Sequence, residues 1–94
     1  MMHGQAKQHN VAVIGAGYVG LPTAATLAHF GHHVVLAERD RSRLSALRSG
    51  RMPIVEAGLD ELVAGGVAAG NLSFTESAVE AVAGAEFVFL CVPT

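Results

Sequence analysis

The chain has 94 residues, a formal net charge of −2, and a hydrophobic content of 51% with few aromatic residues. This length allows one small domain, and the excess of Ala, Val, Leu and Gly is typical of helices packed on a valine-rich sheet. The weak negative charge, without a basic cluster, argues against nucleic acid or an anionic membrane surface as a partner. A single cysteine excludes an internal disulfide framework and favours a cytoplasmic location.

The first ten residues are polar and contain no apolar core, so they do not resemble a signal peptide. We expect residues 1–10 to form a disordered tail and residues 11–94 to form the folded domain. No apolar stretch reaches the ~18 residues needed to span a bilayer. The sequence therefore predicts no membrane partner.

Residues 11–14 are all apolar, which predicts a strand buried on both faces, as in a parallel sheet covered by helices. The six residues that follow carry glycine at their first, third and sixth positions: Gly15, Gly17 and Gly20. In this motif the first glycine starts a tight turn and the second lets a pyrophosphate approach the backbone, while the third lets the next helix pack closely. Because Glu38 also lies where a ribose-binding acid is expected, the pattern predicts a dinucleotide site.

A helix is predicted over residues 18–30, with Pro22 in its first turn and Gly31 as its left-handed end. The small side chains of Ala24 and Ala28 should allow close contact with the sheet. The predicted helical face carries Val19, Thr23, Leu27 and Phe30. A second buried strand over residues 34–37 then delivers Glu38 to its carboxyl end.

Asp40 is expected to cap a short helix that ends at Gly50. The remaining predicted elements are a helix over 59–69, an edge strand over 72–75, a helix over 77–83 and an apolar strand over 87–92. This alternation predicts an α/β fold, a truncated Rossmann-like doubly wound parallel sheet with strand order 3-2-1-4. Residues 87–90 would then form an exposed apolar edge, so we expect a fragment or a chain whose edge a partner covers.

Three segments resemble the N-terminal domain of the UDP-glucose/GDP-mannose dehydrogenase family. They are Gly15 to Pro22 (GAGYVGLP), Pro53 to Leu62 (PIVEAGLDEL) and Val92-Pro93-Thr94. The resemblance implies an enzyme that oxidises the C6 alcohol of a nucleotide sugar in two hydride transfers to NAD. UDP-glucose is the expected substrate, with UDP-N-acetyl amino sugars and GDP-mannose as close rivals, and the full-length enzyme is expected to be a homo-oligomer.

The resemblance also implies roles for individual residues of a cofactor site. The backbone of the glycine motif would wrap the pyrophosphate, and Glu38, where the family more often has Asp, would hold the adenosine ribose. Arg43 would lie near the adenosine, and Thr94 beside the nicotinamide half of NAD. The complete implied set is Gly15, Ala16, Gly17, Tyr18, Val19, Gly20, Glu38, Arg43, Val92, Pro93 and Thr94. An acid at position 38 also disfavours the 2′-phosphate of NADP.

The resemblance places the family's cysteine nucleophile, catalytic lysine and sugar-binding residues beyond residue 94. We therefore assign no catalytic residue, and we do not expect the 94-residue chain to transfer hydride by itself. Cys91 is expected to be a small buried hydrophobe, and the five histidines show no metal-binding spacing. Two alternatives remain: the FAD-binding domain of a flavin oxidoreductase, in which Glu commonly ends the second strand, and a non-catalytic dinucleotide-sensing module.

Overall fold

A computed structural model of the chain describes residues 7–52 and 56–92. Four strands form one sheet: β1 (Asn10–Ile14), β2 (His33–Ala37), β3 (Leu72–Thr75) and β4 (Phe87–Leu90). The helices between them are α1 (Gly20–His29), α2 (Arg41–Arg48), α3 (Leu59–Ala68) and α4 (Ala78–Val82). The strands are all parallel in the order β3-β2-β1-β4, which confirms the predicted α/β fold and its topology.

The register of the strands aligns their carboxyl ends at one edge of the sheet. Ile14 of β1 lies opposite Ala37 of β2 on one side and Leu90 of β4 on the other. The residues that follow, Gly15 and Glu38, therefore emerge side by side. From β1 the sheet extends to β2 and β3 on one side and to β4 on the other, so the strand order reverses at β1. The carboxyl edge at such a reversal is where α/β proteins bind ligands.

Helix α1 packs on the sheet through small side chains in its buried face. The residues of α1 that are fully or almost fully buried are Gly20, Leu21, Ala24, Ala25 and Ala28. The predicted face was wrong at both ends, since Val19 is 65% exposed and Phe30 is 69% exposed. The helix starts at Gly20, two residues later than predicted, so Val19 lies in the preceding turn and Phe30 follows the last helical residue.

Strand β4 forms an edge of the sheet, as predicted. It ends at Leu90 rather than at residue 92, because the neighbouring strand β1 ends at Ile14. Every β4 side chain is exposed, from 41% at Phe89 to 75% at Leu90. The expected exposed apolar edge is therefore present. The other edge of the sheet is β3, with the bounds the sequence predicts.

Polar groups join β1 and β4 at the opposite, amino edge of the sheet. The Asn10 N–H donates to Glu86 Oε1 at 2.9 Å, and the Glu86 N–H donates to the Asn10 carbonyl at 2.7 Å. His9 Nδ1 lies 3.3 Å from Glu86 Oε2. The backbone hydrogen bond from Asn10, with help from His9, lowers the pKa of Glu86. Strand β1 thus begins at Asn10, one residue earlier than predicted, with its first peptide anchored.

Candidate dinucleotide-binding site

The segment from Gly15 to Gly20, hereafter the glycine loop, is attached to the strands on both sides of β1. The Gly15 N–H donates to the carbonyl of Ala37 in β2 at 2.8 Å. The Cys91 N–H, just after β4, donates to the carbonyl of Ile14 at 2.8 Å. These two bonds extend the parallel ladders by one residue and fix the start of the loop at the carboxyl edge.

A Cβ added at each glycine of the motif would meet different surroundings. Gly15 has φ +103°, a left-handed value, and a Cβ built there would lie 2.8 Å from the Cys91 carbonyl oxygen. A Cβ on Gly20 would overlap the carbonyl oxygen of Gly15, so the third glycine lets α1 pack on the loop. At Gly17 a Cβ would meet no described atom within 4 Å. The space beside Gly17 is therefore open to a ligand.

The amino end of α1 has no cap from the protein. Val19, which precedes the helix, makes no side-chain capping bond, and the first turn contains no acidic residue. Within residues 7–52 and 56–92, the backbone N–H groups of residues 17–20 donate to no acceptor. Four unpaired donors at the positive end of a helix dipole fit an anionic group such as a pyrophosphate.

Glu38 is the buried acid of the site, with 6% of its surface exposed. Its Oε1 accepts the N–H of Ala16 at 2.9 Å, and its Oε2 accepts the N–H of Asp40 at 2.9 Å. The guanidinium of Arg43 lies 3.5 Å from Oε1. Each carboxylate oxygen retains acceptor capacity beyond these bonds, so the side chain can also accept ribose hydroxyls.

The glycine loop, the end of β2 and the start of α2 enclose a cleft of about 1130 Å³. The implied residues that line it are Gly15, Ala16, Gly17, Tyr18, Val19, Glu38, Arg43 and Val92. Gly20 does not line the cleft and instead lies against Gly15. Pro93 and Thr94 lie outside the described residues. A second groove of about 560 Å³, between α1 and α3, contains no residue of the glycine loop.

Two further acids line the cleft that the sequence analysis did not assign to it. Asp40 caps α2 as predicted, accepting the N–H groups of Ser42 and Arg43, and the Ser42 hydroxyl is the main cause that lowers the Asp40 pKa. Glu76 follows β3 and accepts Arg41 Nε at 2.6 Å. Because both acids follow a parallel strand, their place at the carboxyl edge could have been inferred from the predicted topology.

Cys91 also lines the cleft, although the sequence analysis expected it to be buried in a strand. It is only partly buried, because β4 ends at Leu90 and Cys91 follows it under the glycine loop. Its carbonyl is the atom nearest to the position that a Gly15 Cβ would occupy. Cys91 therefore belongs to the floor of the site, through its backbone.

Within the described ranges, no helix is long and apolar enough to cross a membrane. In the same ranges, no three His, Cys, Asp or Glu side chains are grouped so that they could hold a metal ion. The site is instead a row of backbone donors facing a buried acid.

A parallel α/β sheet with this loop, an uncapped α1 and a buried acid after β2 defines a Rossmann-like dinucleotide-binding domain. Residues 9–94 match the UDP-glucose/GDP-mannose dehydrogenase family, NAD binding domain. The chain belongs to this family, which confirms the resemblance, and NAD is the cofactor of the domain.

Individual relatives agree with this assignment. The chain is 50% identical over 84 residues to UDP-glucose 6-dehydrogenase of Pseudomonas aeruginosa, covering 89% of this chain and 18% of that protein. The structure of a UDP-glucose dehydrogenase from Pyrobaculum islandicum is 38% identical, with a TM-score of 0.89 over 98% of this chain and 21% of that one. A GDP-mannose dehydrogenase of Pseudomonas aeruginosa is 34% identical, with a TM-score of 0.85, covering 90% of this chain and 20% of that one. The chain thus spans about a fifth of the length of these relatives.

Proposed function

We propose that the chain is the NAD-binding part of an enzyme that oxidises the C6 alcohol of a UDP-sugar in two hydride transfers. UDP-glucose is the proposed substrate, since the relative at 50% identity is a UDP-glucose 6-dehydrogenase. The observation that carries the proposal is the row of backbone N–H groups at residues 17–20, which find no acceptor among the described residues and of which those of residues 17–19 belong to the cleft lining. We assign no catalytic residue to this chain, and the 94 residues alone should not complete the reaction.

The position of a group in the cleft supports some of the proposed contacts, and resemblance to the family supports the others. The glycine loop would hold the pyrophosphate, Glu38 the hydroxyls of the adenosine ribose, and Arg43 the adenosine side of the cleft. Val92, together with Pro93 and Thr94, is assigned to the nicotinamide half by resemblance to the family. NAD, when bound, supplies the acceptor for the hydride. The chain's own residues bind and orient it.

Glu38 is also the proposed reason for preferring NAD to NADP. A buried carboxylate beside the ribose repels the 2′-phosphate of NADP. The repulsion between these two negative charges is strong because the effective dielectric constant at a buried site is low. Arg43 lies 3.5 Å from Glu38 Oε1 and neutralises part of this charge. We therefore expect a preference for NAD that depends on Glu38 and that Arg43 moderates.

The proposed partners other than NAD would act through the parts of the relatives that this chain does not span. These are a nucleotide-sugar substrate and, for the full-length enzyme, further copies of itself. We propose a cytoplasmic location, which the single cysteine supports. The division into a tail over 1–10 and a domain over 11–94 remains a prediction. Three residues at the end of the predicted tail, Gln8, His9 and Asn10, donate hydrogen bonds to the domain.

Calorimetric titration of the folded chain with NAD, NADP and FAD tests the proposal. We expect NAD to bind at least about tenfold more tightly than NADP, which corresponds to about 1.4 kcal/mol. Tighter binding of FAD would contradict the proposal and favour the flavin alternative. No binding by a folded chain would contradict the assignment of the glycine loop as a site sufficient for NAD.

The Glu38→Ala variant tests the assignment of the ribose ligand. It should bind NAD more weakly and narrow the gap between NAD and NADP. Glu76→Gln is the matched control, because Glu76 is a carboxylate on the same cleft that pairs with Arg41 on the surface. If NADP remained as strongly disfavoured in Glu38→Ala as in the wild type, Glu38 would not be the ribose ligand.

A further inference from the structure

We propose that Glu38 has a second role, independent of any ligand: its carboxylate holds the glycine loop in its binding conformation. The two hydrogen bonds from the Ala16 N–H to Oε1 and from the Asp40 N–H to Oε2 are hereafter the Glu38 bridge. They join the loop after β1 to the turn after β2 through one side chain. In this role Glu38 is a positioning residue. The inference deepens the proposed function, since the loop it shapes is the proposed pyrophosphate site.

The burial of Glu38 supports this role. A carboxylate that is 6% exposed must have its charge compensated by hydrogen bonds or a counter-charge. Here the compensation comes from two backbone N–H groups at 2.9 Å and from Arg43 at 3.5 Å. Both N–H donors lie in the irregular backbone that follows a strand, so the side chain fixes the path of those two segments rather than the position of other side chains.

The bonding pattern along the loop shows where the bridge acts. The Gly15 N–H is held by the Ala37 carbonyl, and the Ala16 N–H is held by Glu38. From Gly17 onward, the N–H groups of the loop find no acceptor within the described part of the chain. The bridge is thus the last attachment before the unpaired donors, and it orients them while leaving them free.

The length of the side chain is the second argument. The bridge spans from Ala16, after β1, to Asp40, two residues beyond Glu38. Aspartate at position 38 would keep the charge but lose one methylene. With the backbone of residue 38 held by the Thr75 carbonyl at 2.9 Å, we expect the shorter side chain to keep the bond from the Asp40 N–H, two residues on, and to lose the bond from the Ala16 N–H. Glutamine would keep the length, but its amide NH₂ cannot accept a hydrogen bond.

Amide hydrogen exchange in the chain without any ligand tests the bridge directly. The Ala16 N–H should exchange at least about tenfold more slowly in the wild type than in Glu38→Asp, since a hydrogen bond to a charged group is lost. Glu38→Gln should give an intermediate rate, and Glu76→Gln should leave the rate unchanged. The Val13 amide in β1 serves as the reference for global folding.

Two results would overturn the proposal. One is an Ala16 N–H that exchanges in the wild type as fast as the loop amide of Tyr18, which has no acceptor in the described part of the chain. This result is decisive even if Glu38→Asp fails to fold. The other is unchanged Ala16 exchange in both Glu38→Asp and Glu38→Gln while Val13 remains protected. Because these measurements need no cofactor, they stand whether or not the chain binds NAD.

A binding measurement then separates the bridge from the ribose contact. NAD that lacks both the 2′- and the 3′-hydroxyl of its adenosine ribose removes the contacts that Glu38 would make with the ligand. We expect Glu38→Asp to weaken binding of this deoxy analogue by about fivefold, since the loop is loosened for the pyrophosphate as well. Equal affinity of the wild type and Glu38→Asp for the analogue would limit Glu38 to the ribose and overturn the proposed positioning role.

Discussion

The helices α1 and α2 start at the same edge of the sheet, yet their amino ends are built differently. Asp40 caps α2, accepting the N–H groups of Ser42 at 3.0 Å and Arg43 at 3.1 Å. Val19 offers α1 no cap, and the donors around it face the cleft. Among the described residues, a side chain satisfies the start of α2, whereas none caps the start of α1, an arrangement that fits an anionic ligand. A stable protein can tolerate such an uncapped end when the ligand completes it.

The largest expected effect comes from closing the space at the start of α1. Gly20→Ala places a Cβ on the Gly15 carbonyl oxygen, so we expect a loss of at least about 3 kcal/mol in the free energy of unfolding. Urea unfolding measures it. Gly17→Ala is the control, since its Cβ would meet no described atom, and its change should stay within about 0.5 kcal/mol. A Gly20→Ala variant as stable as the wild type would show that α1 does not depend on this close approach.

Filling the open side of the loop should affect binding and spare stability. Gly17→Val places a branched side chain where the pyrophosphate is proposed to lie, and we expect about a 100-fold loss of NAD affinity, or about 2.7 kcal/mol. Calorimetry measures the affinity, and urea unfolding checks that the fold is kept. Unchanged affinity in a folded variant would refute the assigned position of the ligand.

An acidic residue placed before α1, as Asp40 lies before α2, tests this comparison directly. Val19→Asp adds a negative charge to an exposed position at the amino end of α1, so stability should rise by about 0.5 kcal/mol. NAD affinity should fall by about tenfold, because the added carboxylate repels the pyrophosphate. Val19→Asn has a similar shape without the charge and should bind NAD more tightly than Val19→Asp. If the two variants bound NAD equally, the charge at this helix end would not matter.

The smallest expected effect is the pH dependence of the α2 cap. Hydrogen bonds from the Ser42 hydroxyl and the Arg43 backbone lower the Asp40 pKa below its ordinary value of 3.8. The stability that the charged cap contributes is therefore fully present above pH 3.8 and is lost as the pH falls through the lowered pKa. Asp40→Asn should differ from the wild type by a constant amount near neutral pH, and the difference should shrink below pH 3.8 in urea unfolding. A difference that grew on acidification would contradict this sign.

Local patterns predicted much of the fold, because they depend on neighbours in the sequence. The apolar run before Gly15 and the cap at Asp40 are each encoded within a few residues. The strand order followed from the usual winding of a doubly wound parallel sheet. The face of α1 was mispredicted because periodicity alone could not show that the helix starts at Gly20. With that start, Leu21 and the alanines turn toward the sheet, while Phe30 lies beyond the helix.

The sequence predicted the glycine motif of the candidate site but not the other residues that line the cleft. The glycine spacing indicates a ligand because each glycine has a separate steric reason. The contact of Glu38 with Ala16 joins residues 22 positions apart, and no local pattern encodes it. Glu76 could have been placed at the cleft from the predicted strand order, whereas Cys91 reaches it because β4 ends at Leu90, which only the sheet register shows.

The backbone of Cys91 beneath Gly15 has a consequence for the order in which the molecule folds. The ladder between β1 and β4 pairs residues 76 positions apart, as Val11 with Phe87. Such long-range parallel pairing closes late and slows folding. During synthesis the glycine loop is made early, yet the residue beneath it emerges from the ribosome only after β4. The nascent chain should therefore acquire its binding conformation only after residue 91 is free to pair, whatever the stability of the earlier strands.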